Sequence, residues 1–253
     1  MRAICGTVAC AGWLLLAGAG VGAQTPEEIV TRSEDLMKGS SSQGSFRMTI
    51  TTPDYTRTMQ MDTWWVGNEK ALIVVTAPQR EAGNKTLKVN NELWMYLRTT
   101  ETTIKVPPSM MLQSWNGSDF TNDDLVRESN LVRDYAISVA GEEQVDGEGT
   151  WELHLLPRPT APVVWGKIIH WIRKSDYLPA TTAYYDEQGI LMRTMVYSRV
   201  TKFGDRRIPA SWVMINNRKP GHSTEFQILA ARFNVKLPEG LFSFQELEKG
   251  RIR

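Results

Sequence analysis

Cysteine is the first residue that most of this sequence lacks: both of its cysteines, Cys5 and Cys10, lie within the first ten residues. The rest of the chain can therefore form no internal disulfide, no thiolate metal site and no cysteine nucleophile. Cys10 is also a poor lipid-attachment site, because Thr7-Val8-Ala9 precede it and the strongest apolar residues follow it. The absence suits an oxidising compartment, where a stray thiol could mispair.

Motifs for catalysis and for nucleotide or metal binding are missing as well. The three histidines, His154, His170 and His222, have no paired spacing, and no His-Glu-x-x-His motif occurs. There is no Gly-x-Ser-x-Gly elbow and no glycine-rich phosphate loop. We therefore predict no catalytic residue, no metal ligand and no cofactor, and hence a protein that is not an enzyme.

One acidic cluster, formed by Asp119, Asp123 and Asp124, needs a separate explanation. These carboxylates could hold a calcium ion, but their spacing does not match an EF-hand loop. Alternatively, Thr121 caps a helix and Asp124, three residues later, reaches back to it. We favour the helix cap over the metal site.

An excess of charge of one sign is also absent. The chain has 29 Lys and Arg against 28 Asp and Glu, and without Arg2 the two counts are equal. A nucleic-acid-binding protein normally carries a basic excess, so we predict no nucleic-acid partner. What the sequence does have is nine Trp and eleven Met.

The first 23 residues predict an export signal. Arg2 gives a positive start, an uncharged stretch peaks at Trp13-Leu14-Leu15-Leu16, and the small residues Val21-Gly22-Ala23 form a cleavage site before Gln24. The alternative is an uncleaved membrane anchor, but the stretch is rich in Gly and Ala and no basic cluster follows it. We predict cleavage and a periplasmic protein of a Gram-negative bacterium, in which residues 24–253 form one domain.

Beyond the signal, one helix precedes a long series of strands. Thr25 and Glu28 form a capping box with Pro26 between them, and the helix should end in the serine-rich turn at 39–44. Residues 109–133 interrupt the strands with a helix-and-loop segment. The predicted strands, separated by turn signals at the spacing of an antiparallel meander, are 46–52, 56–66, 71–75, 87–90, 92–98, 102–106, 136–143, 150–156, 167–173, 180–185, 191–200, 208–216 and 223–233.

The faces of these strands carry methionine and tryptophan repeatedly. In strand 56–66, Met59, Met61 and Trp65 alternate with polar residues, as in a sheet that has one face on water. In strand 92–98 both faces are apolar, which predicts a central strand covered on both sides. The methionines either fill irregular gaps in an ordinary core or form an adaptable lining for an apolar ligand; the pattern alone leaves both interpretations open.

A combination of motifs resembles a known family. Asn84-Lys85-Thr86-Leu87 is followed by Glu92-Leu93-Trp94-Met95-Tyr96-Leu97, then by Trp115-Asn116-Gly117-Ser118-Asp119-Phe120 and by Asp123-Asp124-Leu125. This order resembles the longer branch of the outer-membrane lipoprotein-sorting family, which are relatives of the periplasmic lipoprotein carrier LolA. The resemblance extends over residues 24–253.

The resemblance implies a mainly β fold with a few helices: an incomplete antiparallel β-barrel, or half-barrel, whose short helices cover a concave apolar face. It also implies a cavity for acyl chains of lipid or lipoprotein, carried between the inner and outer membranes by a monomer. Phe120 and Asp119 are expected to fix the covering segment. On these grounds the predicted cavity residues are Met48, Met59, Met61, Trp65, Leu93, Met95, Met110, Met111, Trp115, Met195, Trp212 and Met214.

The donor and receptor of such a carrier stay open. The chain is longer than the classical carrier, so its partner could be a lipoprotein-releasing complex or an inner-membrane exporter of the resistance-nodulation-division type. A third interpretation is a stress sensor that binds mislocalised lipoprotein.

Overall fold

The structure, a computed structural model, describes residues 24–127, 131–159, 161 and 163–249. The predicted signal peptide, residues 1–23, lies outside the described residues, so its cleavage stays a prediction. Within these residues, no helix has both the length and the apolar character that crossing a membrane requires.

Helix α1 (Pro26–Lys38) begins as the sequence predicts. The Glu28 amide donates to Thr25 Oγ1 at 3.2 Å, and the Thr25 amide donates to Glu28 Oε2 at 2.9 Å, which completes the capping box. The helix ends at Gly39, whose φ of 65° favours glycine and whose amide donates to the Asp35 carbonyl. The predicted turn at 39–44 is wrong beyond Ser40, because the first strand already begins at Ser41 and pairs on both sides.

Thirteen strands form a single sheet, as many as the sequence predicts. Three of them have the predicted bounds, and the others differ at one or both ends: most are longer than predicted, and some end one residue earlier. The strands are β1 (Ser41–Thr51), β2 (Thr56–Val66), β3 (Lys70–Ala77), β4 (Lys85–Val89), β5 (Glu92–Leu97), β6 (Thr102–Lys105), β7 (Tyr135–Val145), β8 (Glu148–Pro157), β9 (Lys167–Arg173), β10 (Pro179–Tyr185), β11 (Leu191–Phe203), β12 (Arg206–Asn216) and β13 (Ser223–Phe233).

The sheet consists of two meanders joined along one seam. Its order is β6-β5-β4-β3-β2-β1-β13-β12-β11-β10-β9-β8-β7, and every neighbouring pair is antiparallel. The seam between β1 and β13 joins the first strand to the last, and β6 and β7 are the two edges of the sheet in the part of the chain that the structure describes. The sheet is therefore open, which confirms the predicted half-barrel.

A crossing segment, described for residues 106–127 and 131–134, leads from the β6 edge to the β7 edge over one face of the sheet. It contains a 3-10 turn (Pro108–Met110), α2 (Asn122–Arg127) and α3 (Leu131–Asp134). The predicted cap of α2 is confirmed, since the Asp124 amide donates to Thr121 Oγ1 at 3.3 Å and the Thr121 amide donates to Asp124 Oδ2 at 2.7 Å. We call the face under this segment the concave face.

The opposite face is covered near β3, β4 and β5. Leu241 and Leu247, the latter in α4 (Phe244–Glu248), pack there against Leu72, Leu87 and Tyr96. Both faces of β5 are therefore covered, as predicted. Its predicted central position is wrong, however, because β5 lies next to the edge strand β6.

Candidate ligand cavity

A cavity of about 220 Å³ lies between the concave face and the elements above it. The sheet supplies its floor, while α1, α2 and α3 contribute Met37, Leu125 and Leu131 to its upper wall. Burial of this apolar wall follows from the period of two in the strands, which turns alternate side chains inward. The aromatic residues of the lining are Phe46, Trp65, Trp115, Phe120, Tyr184, Tyr197, Trp212, Phe226 and Phe233.

Five of the twelve predicted cavity residues line this space: Met61, Trp65, Trp115, Met195 and Trp212. The others lie outside its wall, although all seven are on the concave side or in the crossing segment. Contact of any of the twelve with cargo stays a prediction. The seven outside the wall are Met48, Met59, Leu93, Met95, Met110, Met111 and Met214.

Met48, Met59, Leu93 and Met95 are outside the cavity because the crossing segment packs on that part of the concave face. Met48 and Met59 are fully buried against Trp115. Leu93 packs with half-buried Met95 and Met111 in a small cluster of its own, and Met214 is buried in the main core. Met110, by contrast, is 38% exposed in the 3-10 turn. Strand period identifies the face of the sheet but not the part of that face that remains uncovered.

Several residues of the cavity were missed by the sequence analysis. Phe46, Phe226 and Ile228 belong to it because the seam brings β1 and β13 together, and Tyr197 on β11 also lines it. The period of two in β13 would have identified Phe226. The buried polar residues of the lining had no signal in a search for apolar residues; they are Ser33, Thr63, Lys88, His170 and Thr182.

Polar contacts anchor the crossing segment to strands of both meanders. The buried Trp115 donates from Nε1 to Thr86 Oγ1 at 3.2 Å, on β4. Asp119 accepts a hydrogen bond from Thr224 Oγ1 at 2.8 Å and another from Asn216 Nδ2 at 3.1 Å, on β13 and β12. Asp119 is thus placed where it fixes the segment, as the sequence analysis expected.

The strongest of these anchors is an ion pair between Arg193 on β11 and Asp124 on α2. Their side chains are 6% and 9% exposed, and the guanidinium meets the carboxylate in a bidentate arrangement, with 2.6 Å between Nη1 and Oδ2. The guanidinium also lies 4.5 Å from the ring centre of Trp165 and 4.7 Å from that of Tyr184. Asp124 thus serves both as helix cap and as buried counter-ion. Within the described residues, no group of three His, Cys, Asp or Glu side chains lies close enough together to hold a metal ion.

His170 is the buried titratable group of the opposite wall. Its Nδ1 lies 2.7 Å from Thr182 Oγ1, and burial lowers its pKa from 6.5 to about 4. The imidazole is therefore neutral at pH 7, which makes it a polar but uncharged part of the lining.

This lowered pKa predicts a loss of stability in mild acid. The unfolded chain takes up a proton at His170 below pH 6.5, whereas the folded chain does so only near pH 4. Between these values acidification therefore favours unfolding, by about 2 to 3 kcal/mol for this group at pH 4.5. His170→Gln, which keeps a polar side chain but does not titrate, should remove that part of the pH dependence. Urea unfolding of both proteins at pH 7 and pH 4.5 measures it; equal pH dependence would contradict the prediction.

Comparisons with known proteins give a family and a fold. A family model described as an uncharacterized protein matches residues 67–249, which is more than two thirds of the chain. No curated protein matches the chain.

Three solved structures have closely similar folds. A DUF1329 family protein from Desulfovibrio piger superposes with a TM-score of 0.81 at 22% identity, covering 88% of this chain and 100% of its own. A putative outer membrane lipoprotein-sorting protein domain from Vibrio parahaemolyticus gives 0.78 at 20% identity, covering 88% and 98%. A LolA superfamily protein from Nitrosomonas europaea gives 0.75 at 21% identity, covering 88% and 100%. The chain therefore belongs to the family whose model spans residues 67–249, and its fold is that of the LolA-like lipoprotein-sorting proteins, as the sequence resemblance predicted.

Proposed function

We propose that the protein is a periplasmic carrier that holds the acyl chain of a lipid or lipoprotein in the concave cavity and moves it between the inner and outer membranes. The observation that carries this proposal is the cavity itself: about 220 Å³ of space walled mainly by aromatic, Met and Ile side chains. Packed interiors rarely contain voids much larger than a water molecule, so this space requires an explanation beyond folding.

The energetics of an acyl chain fit such a space. Each methylene that is buried contributes about 0.8 kcal/mol to the free energy of binding. Even a chain that enters the cavity only in part therefore stays bound to the protein in aqueous solution. Met37, Met61 and Met195 line different sides of the cavity, and the unbranched methionine side chain adapts to varied apolar shapes. The same adaptable side chains can repack when the acyl chain leaves, which favours its release at a receptor.

The periplasmic location is part of the proposal and is supported by the export signal that the sequence predicts in residues 1–23. A donor or receptor in the inner membrane, whether a lipoprotein-releasing complex or a resistance-nodulation-division exporter, follows from the carrier role. No enzymatic step is included, because the proposed role needs only binding and release.

The carrier role is tested by native mass spectrometry of the mature protein purified gently from periplasm. We expect a bound mass that lipid extraction assigns to an acyl-containing molecule. A clean unliganded mass, in a protein that also fails to take up a fluorescent fatty acid, would contradict the proposal. The Met and Trp side chains would then be ordinary core residues.

A further inference from the structure

The two edge strands of the sheet are protected against further pairing to very different extents. An edge strand presents amide and carbonyl groups that can pair with another strand, and natural sheets prevent this with short edge strands, lysine and proline. Strand β6 has all three, because it is four residues long, contains Lys105 and is followed by Pro107 and Pro108. Strand β7, by contrast, is eleven residues long and contains neither lysine nor proline. The β7 edge therefore lacks the protection that the β6 edge has.

The middle of β7 is uncharged and open to solvent. Residues 136–141 carry no charge, and four of these six residues are exposed. Val139 is 43% exposed, and Leu156 on β8, which pairs with Ala136, is 52% exposed. Among the described residues, β8 is the strand that pairs with β7, and residues 136–141 form no other backbone hydrogen bond. Exposed apolar side chains beside such an edge are typical of a surface that another strand covers.

Charged side chains flank this uncharged segment, and their signs differ at its two ends. Arg133, just before the strand, has a side chain that is 59% exposed. Glu142, at the other end, is 62% exposed, and the next residue, Glu143, is exposed as well. Arg133 forms an ion pair with Asp134, and Glu142 forms one with Lys174. Because the Arg133 and Glu142 side chains stay more than half exposed, each can also meet a charge on another molecule.

We propose that the β7 edge pairs with the β7 edge of a second copy of this chain, in antiparallel orientation, so that the two sheets become one continuous sheet. A two-fold axis near Ser138, which lies midway between Arg133 and Glu143, places the start of each β7 beside the end of the other. Arg133 of each copy then lies beside Glu142 and Glu143 of the other copy. The edge is therefore electrostatically complementary to itself in the antiparallel arrangement, whereas a parallel one would bring like charges together.

This dimer should be weak and should leave both cavities accessible. A β-bulge between Val139 and Gly141 shortens the regular part of the edge, and a single pair of strands buries less surface than a standard interface. We therefore expect a dimer Kd in the micromolar range. The lining of the cavity contains no residue of β7, so the inference does not depend on the proposed carrier function. It departs from the monomer that the sequence resemblance implies.

Sedimentation velocity of the full mature chain tests the proposal at protein concentrations from about 1 to 200 µM, which bracket the expected Kd. The wild type should change from monomer to dimer over this range. Val139→Lys places a lysine in the middle of the edge and should raise the dimer Kd at least about tenfold. Ile104→Lys is the matched control, because Ile104 is 42% exposed on the other edge strand, β6. This control should leave the dimer Kd unchanged.

Charge reversal tests the antiparallel arrangement. Glu143→Arg and Arg133→Glu should each raise the dimer Kd about tenfold, because each brings like charges together at both ends of the interface. A mixture of the two variants should form a heterodimer about as strong as the wild-type dimer, because every reversed charge then meets one of opposite sign. Native mass spectrometry distinguishes the heterodimer by its mass. Its formation also shows that Arg133→Glu, which removes the partner of Asp134, still folds.

Three results would overturn the proposal. A wild type that stays monomeric at the highest concentration would exclude pairing between copies. A dimer that Val139→Lys leaves intact, or that Ile104→Lys weakens instead, would place the interface away from β7. A heterodimer no stronger than the dimer of either charge-reversed variant would exclude the antiparallel arrangement.

Discussion

Arg193→Met should lower the free energy of unfolding by about 3 to 5 kcal/mol, because it leaves Asp124 as an unpaired carboxylate in the interior. The Arg193 and Asp124 side chains are almost completely buried, and their bidentate contact is the tightest link between the crossing segment and β11. Methionine keeps most of the length and apolar surface of arginine, so the loss reports the charge. Urea unfolding followed by tryptophan fluorescence measures the change.

Two further variants separate this explanation from a general defect. Arg199→Met removes an arginine from the same strand whose partner, Glu225, is 2.5 Å away, but this arginine is 57% exposed. Such a surface pair is worth about 0 to 1 kcal/mol. Adding Asp124→Asn to Arg193→Met should restore part of the loss, since a neutral amide is less costly to bury. Equal losses in Arg193→Met and Arg199→Met would contradict the role of burial.

Ala231→Trp should lower the affinity for a fluorescent fatty acid about a hundredfold. Ala231 lines the cavity and lies directly across the seam from Gly44, so the indole enters space that an acyl chain would occupy. If it replaces four methylenes at ~0.8 kcal/mol each, the loss is about 3 kcal/mol. A fluorescence titration gives the Kd of each protein.

The neighbouring residue supplies the control for this substitution. Ala230 is exposed, so Ala230→Trp adds the same indole to β13 outside the cavity and should leave the Kd unchanged. Both variants should keep the circular dichroism of the wild type. Unchanged affinity in Ala231→Trp would show that the ligand binds elsewhere.

Most of the fold could be predicted from the sequence because its signals are local. Alternating side chains and turn residues identified thirteen strands, and the capping residues Thr25 and Thr121 marked the starts of α1 and α2. The error at 39–44 has a physical cause: Ser and Gly favour turns in isolation, but hydrogen bonds from β2 and β13 on both sides hold Ser41–Gly44 extended. Tertiary contacts of this kind leave no local signal.

The cavity could be predicted only in part, since it depends on contacts between distant residues. The alternation of side chains along the strands identified the correct face of the sheet for Met48 and Met59 as well as for Met61. What separates them is Trp115, which packs on this cluster from a segment more than 50 residues away and fills the space above Met48 and Met59. The polar residues Thr63 and Lys88 were missed because the search for an apolar lining had no place for them.

The seam between β1 and β13 has a consequence for how the molecule assembles. All other pairings in the sheet join strands that follow each other along the chain. Each meander can therefore form from short-range contacts soon after its residues are available. Ser42, in contrast, must find Phe233, and pairing over such a sequence distance is slow. Until β13 is present, β1 exposes a row of unpaired amide and carbonyl groups that can recruit another chain. If the chain becomes available from its N-terminus, the side of β1 that will pair with β13 stays unpaired until nearly all residues are present. Formation of the seam is therefore the folding step at which a chaperone would matter most.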